Sequence, residues 1–231
     1  MGVVQCVSYM ELYHVINRGV DGRNIFQDDT DRARFVHDLY EFNDTVAAPE
    51  FLNITIPEMS GRTTSRHRER LIDIHGWKLV TNHFHLLISE RIENGITLFL
   101  RKMSGYARYF NERHGRHGTL FQGRTKKILI ENESHFLYIL HYVHLNALDD
   151  LPGFKKWRER DKVGIPNLKI AFEHLEKDRW SSYQDYCGGT NFPSILTKTL
   201  FEDCRGDYKT ELKEYLEDQV FEYLEPNLLE Y

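Results

Sequence analysis

The sequence predicts an α+β protein: a four-stranded antiparallel sheet of the split βαβ kind, with one added helix and a helical C-terminal extension. Three observations carry this. Apolar residues alternate through 11–17 and again on either side of Thr81-Asn82, the period-two pattern of half-buried strands. Phe35, Leu39 and Phe42, and later Ile96, Phe99, Leu100, Met103, Tyr106, Ala107 and Phe110, recur at helical spacing. Turn residues separate these runs, so the elements follow as strand, helix, strand, strand, helix, strand.

Residues 11–17 (Glu-Leu-Tyr-His-Val-Ile-Asn) form the first strand, closed by Arg18-Gly19 and the turn residues Asp21-Gly22. Asp28 or Thr30 caps the first helix, which fades at Asn43-Asp44. Pro49, Pro57, Ser60-Gly61 and the basic run 62–70 make residues 45–69 a loop or insertion. Strands at 71–81 and 83–89 follow. Asn94-Gly95 opens the second helix, which ends by Gly115. A Gly-rich cationic stretch, 115–127, then leads into a short strand at Ile128-Leu129-Ile130, and Asn132 caps a helix running to about Ala147. The first six elements match a ferredoxin-like sheet, a plan that many RNA-binding modules share and that decides nothing about function. Pro152-Gly153 and Gly164-Ile165-Pro166 mark breaks, with helices expected at 167–177 and 207–224. The expected division is a domain at 10–150 and a mostly helical extension at 151–231 packed on it.

Composition narrows the function classes. Cys6, Cys187 and Cys204 are scattered, which argues against a disulfide framework or a cysteine zinc site and fits a reducing compartment. Residues 1–13 show no cationic start and apolar run, and no stretch reaches the ~18 apolar residues of a membrane span. The expectation is a soluble, cytoplasmic protein with no membrane partner. The net charge of −5 conceals an uneven distribution. Residues 61–128 hold 14 Lys/Arg against 5 Asp/Glu, a local +9 beside −14 for the remainder. A basic middle between acidic flanks suits a phosphate-bearing partner as well as an ordinary solvated surface.

His83 and His85 flank Phe84 on the third strand. Residues i and i+2 share a face, so both imidazoles project together while Phe84 packs behind them. Two convergent imidazoles are half of a metal site; the plain alternative is a pair of half-buried polar residues. In the helix 133–148, Phe136, Leu140, Val143 and Ala147 form an apolar stripe. Tyr142 and Asn146 lie one turn apart on its flank, at the boundary between core and solvent. The plain alternative for Tyr142 is a boundary aromatic with a solvated hydroxyl.

Asn82-His83-Phe84-His85-Leu86-Leu87, then Gly118-Thr119-Leu120-Phe121-Gln122-Gly123-Arg124, then Tyr142-Val143-His144-Leu145-Asn146 occur in that order. Together they resemble the single-tyrosine HUH transposases, most closely the REP-associated tyrosine transposases. Tyr13-His14-Val15-Ile16-Asn17-Arg18-Gly19 resembles that family's opening strand, and Trp180-Ser181-Ser182-Tyr183 the segment after its tyrosine helix. The resemblance spans about residues 10 to 190, which makes 10–150 the HUH endonuclease domain. It implies that His83 and His85 ligate a divalent cation, Mg²⁺ or Mn²⁺, and that Asn146 completes the set. It also implies that Tyr142 attacks single-stranded DNA of hairpin-bearing repeats, to leave a 5′-phosphotyrosine and a free 3′-hydroxyl. A phenol of pKa about 10 needs activation at neutral pH, which the cation supplies. Arg18, Arg124, Lys126 and Lys127 are the candidate phosphate-steering cations, and Tyr106, Arg108 and Tyr109 candidates for base stacking. Tyr138 is the rival nucleophile, while His75, His114, His117, His141 and His144 are not expected to be ligands.

The chain departs from the family's pattern in places. Val80-Thr81 stand where a Met-Pro is common, and Ala147 where a Pro follows the helix asparagine. Leu148-Asp149-Asp150 replace a basic residue and glycine, placing negative charge near the expected DNA path. Relatives complete the site within one chain or by exchanging tyrosine helices, so a homo-oligomer is compatible with the sequence. Two readings of other classes stand beside the transposase: a catalytically silent ferredoxin-like nucleic-acid-binding protein, and a metal-dependent hydrolase of a small phosphoester.

Overall fold

A computed structural model describes residues 11–46, 68–159, 164–202 and 207–217. It contains mixed helices and one four-stranded sheet: β1 (Leu12–Arg18), β2 (Ile72–Val80), β3 (His83–Glu90) and β4 (Lys126–Leu129). All pairings are antiparallel, in the order β2-β3-β1-β4. β3 therefore lies between β1 and β2. A two-residue turn, Thr81-Asn82, joins β2 to β3 and sets Val80 opposite His83.

Helix α1 (Asp29–Glu41) begins where the sequence offered two caps, and Asp28 is the one used. Its carboxylate accepts from the Thr30 and Asp31 amides, donors that the first turn leaves without helical partners. The single helix expected after Asn94 is two, α2 (Gly95–Met103) and α3 (Gly105–Arg113). The Ser104 hydroxyl donates to the Arg101 carbonyl at 2.6 Å, and Gly105 follows it. A short polar side chain competing for backbone groups beside a flexible glycine divides the helix there. The apolar spacing survives the break, because Ile96, Phe99, Met103, Tyr106 and Phe110 all reach the same core. Helix α4 (Glu133–Leu145) starts at Asn132, whose side chain accepts from the His135 amide, and tightens into a 3₁₀ turn over Asn146–Asp150. Beyond it come α5 (Leu168–Lys177), α6 (Tyr183–Tyr186), α7 (Thr199–Glu202) and α8 (Tyr208–Glu217). The helix expected over 207–224 is described as far as Glu217, and most of the expected loop 45–69 lies outside the described residues.

Strand alternation gives each sheet face its own core. Val15, Trp77, Leu79, Phe84, Leu86 and Ile88 pack against α1, α2 and α3. Leu12 and Leu87, on the opposite face, pack against Phe136, Leu140 and Val143 of α4, which is backed by Leu175 of α5 and Leu212 of α8. Gly76 lets α4 come this close: a Cβ there would stand 2.7 Å from Leu140 Cδ1 and 3.3 Å from Leu87 Cδ1. The chain after α5 then covers the outer edge of β2. The Leu79 amide donates to the Trp180 carbonyl at 2.9 Å and the Ser182 amide to the Trp77 carbonyl at 3.0 Å. That removes an unpaired strand edge, a liability for any exposed sheet.

Candidate active site

The site forms on the α4 face of the sheet. His83 and His85 are two apart on β3, so both point to this face, while Phe84 points away into the Phe35 and Phe121 rings. β1 contributes through its register. Arg18 pairs with His83 and Ile16 with His85, which puts Arg18, Ile16 and His14 on the same face. On the far side of Ile16 stands Lys126 of β4.

Three imidazoles and one phenol converge here. The His83 and His85 ring centroids are 4.8 Å apart with planes at 76°. Tyr142 meets His85 edge-to-face at 5.8 Å and His14 at 6.0 Å. The His83 Nδ1 lies 2.6 Å from Asn82 Oδ1, and the His85 Nδ1 lies 2.8 Å from His14 Nε2. The other ring nitrogen of each strand histidine, Nε2, is buried without a hydrogen-bond partner. Leaving such a group unsatisfied costs about 1–3 kcal/mol, so this pair is a costly arrangement unless something binds it.

The ring spacing equals that of two imidazoles sharing one ion. An imidazole ligated at about 2.1 Å places its centroid about 3.3 Å from the ion, so two ligands at right angles have centroids roughly 4.7 Å apart. The observed 4.8 Å matches that separation. All three histidines are held neutral, the form in which a ring nitrogen can ligate. Burial pushes His83 down to about 3, helped by the Arg18 charge, and pushes His14 down to about 3, helped by His135. Burial, then the neighbouring His83 and His14, hold His85 well below its ordinary value.

Asn146 is placed differently from the expectation. It caps the C-terminal end of α4 with both side-chain polar atoms engaged: Nδ2 donates to the Tyr142 carbonyl at 2.8 Å, and Oδ1 accepts from Arg158 at 2.5 Å. Tyr142 and Asn146 were expected at a boundary, and both are buried. The cover is the segment after the 3₁₀ turn. The Trp157 ring lies 5.7 Å from Tyr142, and the Arg158 guanidinium 5.8 Å from the same ring. Arg158 also grips Asp149, at 2.6 and 2.9 Å. The negative charge read from Asp149 is therefore paired within the fold. Among the described residues, no group of three His, Cys, Asp or Glu side chains is arranged to hold a metal ion.

Of the four candidate DNA-binding cations, three share one feature. Arg18, Arg124 and Lys126, with Ile16, Asn17 and Gln122, line a cleft of about 150 Å³ beside the histidines. The Gln122 amide donates to the Arg18 carbonyl at 2.7 Å and pins the Gly-rich loop to the end of β1. Lys127 is one residue on, opposite Val15, and lies on the other face with its ammonium 5.7 Å from the Tyr13 ring. Tyr106 is not available for stacking: it is fully buried and its hydroxyl donates to the Ile25 carbonyl. Tyr109 hydrogen-bonds Asp31, and Arg108 pairs with Glu112. Tyr138 stacks on Tyr215 of α8 at 5.2 Å, and His141 lies against Tyr208 and Tyr215, both away from the histidine cluster. His144 bonds Tyr208 and Ser182, and His75 bonds Ser89 and the Thr197 carbonyl.

Three contributors, His14, Trp157 and Arg158, escaped the sequence reading. His14 carried a usable signal, since its parity on β1 matches Arg18. Its approach to His85 depended on the β1–β3 register, which no local pattern states. Arg158 and Trp157 follow a Pro-Gly break, and nothing in their neighbourhood points back to Tyr142.

No family model matches the chain, and no curated protein matches it. Among solved structures, a REP-associated tyrosine transposase bound to a REP hairpin is similar over 81% of this chain and 85% of that one, at 12% identity and a TM-score of 0.44.

Proposed function

We propose that this chain is a metal-dependent single-strand DNA endonuclease and strand transferase of the HUH transposase type, with Tyr142 as nucleophile. The observation that carries the reading is the contact of Tyr142 with His85, beside two buried, unpartnered Nε2 atoms and a cationic cleft on the same sheet face. A tyrosine, a ligand pair and a phosphate-binding surface brought together in this way suit phosphoryl transfer better than packing alone. The split βαβ plan named from the sequence is the scaffold of the proposal, with residues 10–150 as the catalytic domain and 151–231 as the C-terminal extension, of which Leu175 and Leu212 pack behind α4.

His83 and His85 would hold a divalent ion through Nε2, each with its Nδ1 already engaged. The ion, Mg²⁺ or Mn²⁺, would supply charge stabilisation at the scissile phosphate, with phosphate and water oxygens filling the remaining positions. Arg18, Arg124 and Lys126 fix the flanking phosphates and carry no sequence information. The Tyr142 phenol gives up its proton to solvent and its oxygen bonds phosphorus. The bond to the 3′ oxygen breaks, and that oxygen takes a proton from solvent. The phosphodiester energy is retained in the phosphotyrosine, so the reverse attack by a 3′-hydroxyl rejoins a strand. Tyr142 and the histidines meet within one chain, which supports a site completed in cis. Hairpin-bearing DNA is the substrate class that the sequence motifs imply.

Two observations favour the silent nucleic-acid binder: Asn146 Oδ1 is engaged by Arg158, and among the described residues no carboxylate joins the two imidazoles. A denaturing gel separates the readings. Labelled single-stranded hairpin DNA with Mn²⁺ should give a covalent adduct with the wild type, and none with Tyr142→Phe or with His83→Ala/His85→Ala. Retarded bands in native gels that are indifferent to chelator, with no adduct on a hairpin panel, would establish the binder instead.

A further inference from the structure

His14 meets the proposed ligand His85 directly, 2.8 Å from His14 Nε2 to His85 Nδ1. The ring planes are 8° apart and the centroids 5.1 Å apart. Those are the dimensions of two rings joined edge to edge by an in-plane N–H···N bond. A neutral imidazole carries one N–H and one lone pair, so a single proton lies in this contact. If it belongs to His14, then His85 carries its own proton on Nε2 and cannot ligate through that atom. If it belongs to His85 Nδ1, the His85 Nε2 presents a lone pair.

Hydrogen bonding alone does not choose between them. His85 Nε2 and His14 Nδ1 are both buried without partners, so either assignment leaves one donor and one acceptor unsatisfied. An ion at His85 Nε2 breaks the tie. The companion ligand shows the same arrangement without the ambiguity. His83 Nδ1 lies 2.6 Å from the Asn82 amide oxygen, which can only accept, so the His83 proton is on Nδ1 and its lone pair on Nε2.

We propose that His14 is the positioning residue of the metal site: its Nε2 accepts the His85 Nδ1–H and holds His85 in the tautomer that ligates through Nε2. This rests on the metal-binding reading of His83 and His85 given above. Each ligand then has its own acceptor, Asn82 of the β2–β3 turn for His83 and His14 of β1 for His85. Partners of this kind orient the ring and raise the basicity of the ligating nitrogen.

The test measures metal, not turnover. Mn²⁺ affinity is read by electron paramagnetic resonance titration for wild type, His14→Phe and His14→Gln, each checked by thermal melting. His14→Phe, which fills the space without an acceptor, should weaken Mn²⁺ binding about tenfold to a hundredfold. His14→Gln, which keeps an acceptor oxygen, should recover most of it. In parallel, long-range ¹H–¹⁵N spectra of the wild type with Zn²⁺ as a diamagnetic probe should show His85 protonated at Nδ1. Equal Mn²⁺ affinity in wild type and a folded His14→Phe overturns the role of His14 alone, as does a His85 Nε2–H in the loaded wild type. A wild type that binds no Mn²⁺ overturns the metal site itself and this role with it. If His14→Phe does not fold, the wild-type spectra decide.

Discussion

Acidifying the metal-free protein from pH 7 to pH 5 should remove much of its stability, because three neutral histidines are buried in one cluster. His14 and His83 fall from 6.5 to about 3 on folding, and His85 falls well below 6.5, all chiefly through burial. The unfolded chain therefore binds protons that the folded chain refuses. Stability is present in full above the unfolded value of 6.5 and is lost as pH falls from there toward the folded value. For His14 and His83 the loss between pH 7 and pH 5 is about 1.9 kcal/mol each, taking 6.5 for the unfolded ring and about 3 for the folded one. These two rings lose about 4 kcal/mol and His85 acts in the same direction, a large share of the about 5–15 kcal/mol that stabilises a typical domain. Burial lowers His75 and His135 as well, which acts in the same direction. Urea melts at pH 7, 6 and 5 in chelator measure this directly, and the midpoint should fall steeply below pH 6.5. A midpoint that changes by less than about 1 kcal/mol in equivalent stability over that range would refute the buried, neutral cluster.

Further outcomes follow from individual residues. Lys126→Ala should lower the salt dependence of single-strand DNA binding by about 0.7 in the log–log slope, read by fluorescence anisotropy across a salt series. Lys127→Ala, on the opposite face, should leave that slope unchanged. Gly76→Ala forces a methyl against Leu140 and Leu87 and should cost about 1–3 kcal/mol in a thermal melt, with α4 displaced from the sheet. Arg158→Ala leaves Asp149 and Asn146 Oδ1 without this partner, and should cost about 1–3 kcal/mol of stability while weakening DNA binding.

How far the fold and site were legible follows from which signals are local. Period-two alternation placed β1, β2 and β3 within a residue or so of their bounds, and Asp28 and Asn132 announced their helices as caps. The pairing of His83 with His85 was equally local, since strand parity alone puts them on one face. The break at Ser104 was missed because apolar spacing runs through it, while the cause is a side-chain hydrogen bond. The burial of Tyr142 and Asn146 was missed for another reason: their cover, Trp157 and Arg158, comes from a segment that has no periodic pattern. Lys126 and Lys127 looked equivalent as a basic pair, yet the β1–β4 register sends them to opposite faces. Register is tertiary information, and His14 was overlooked on the same ground.

The central claim is that Tyr142 forms the bond to DNA, and locating that bond tests it most directly. Adduct from hairpin DNA and Mn²⁺ would be digested with nuclease and trypsin, and the peptide spanning residues 128–155, which holds both Tyr138 and Tyr142, sequenced by tandem mass spectrometry. The account predicts a 5′-phosphonucleotide mass on Tyr142 and an unmodified Tyr138. A nucleotide on Tyr138 or elsewhere, or hairpins that bind and never become attached, would contradict it.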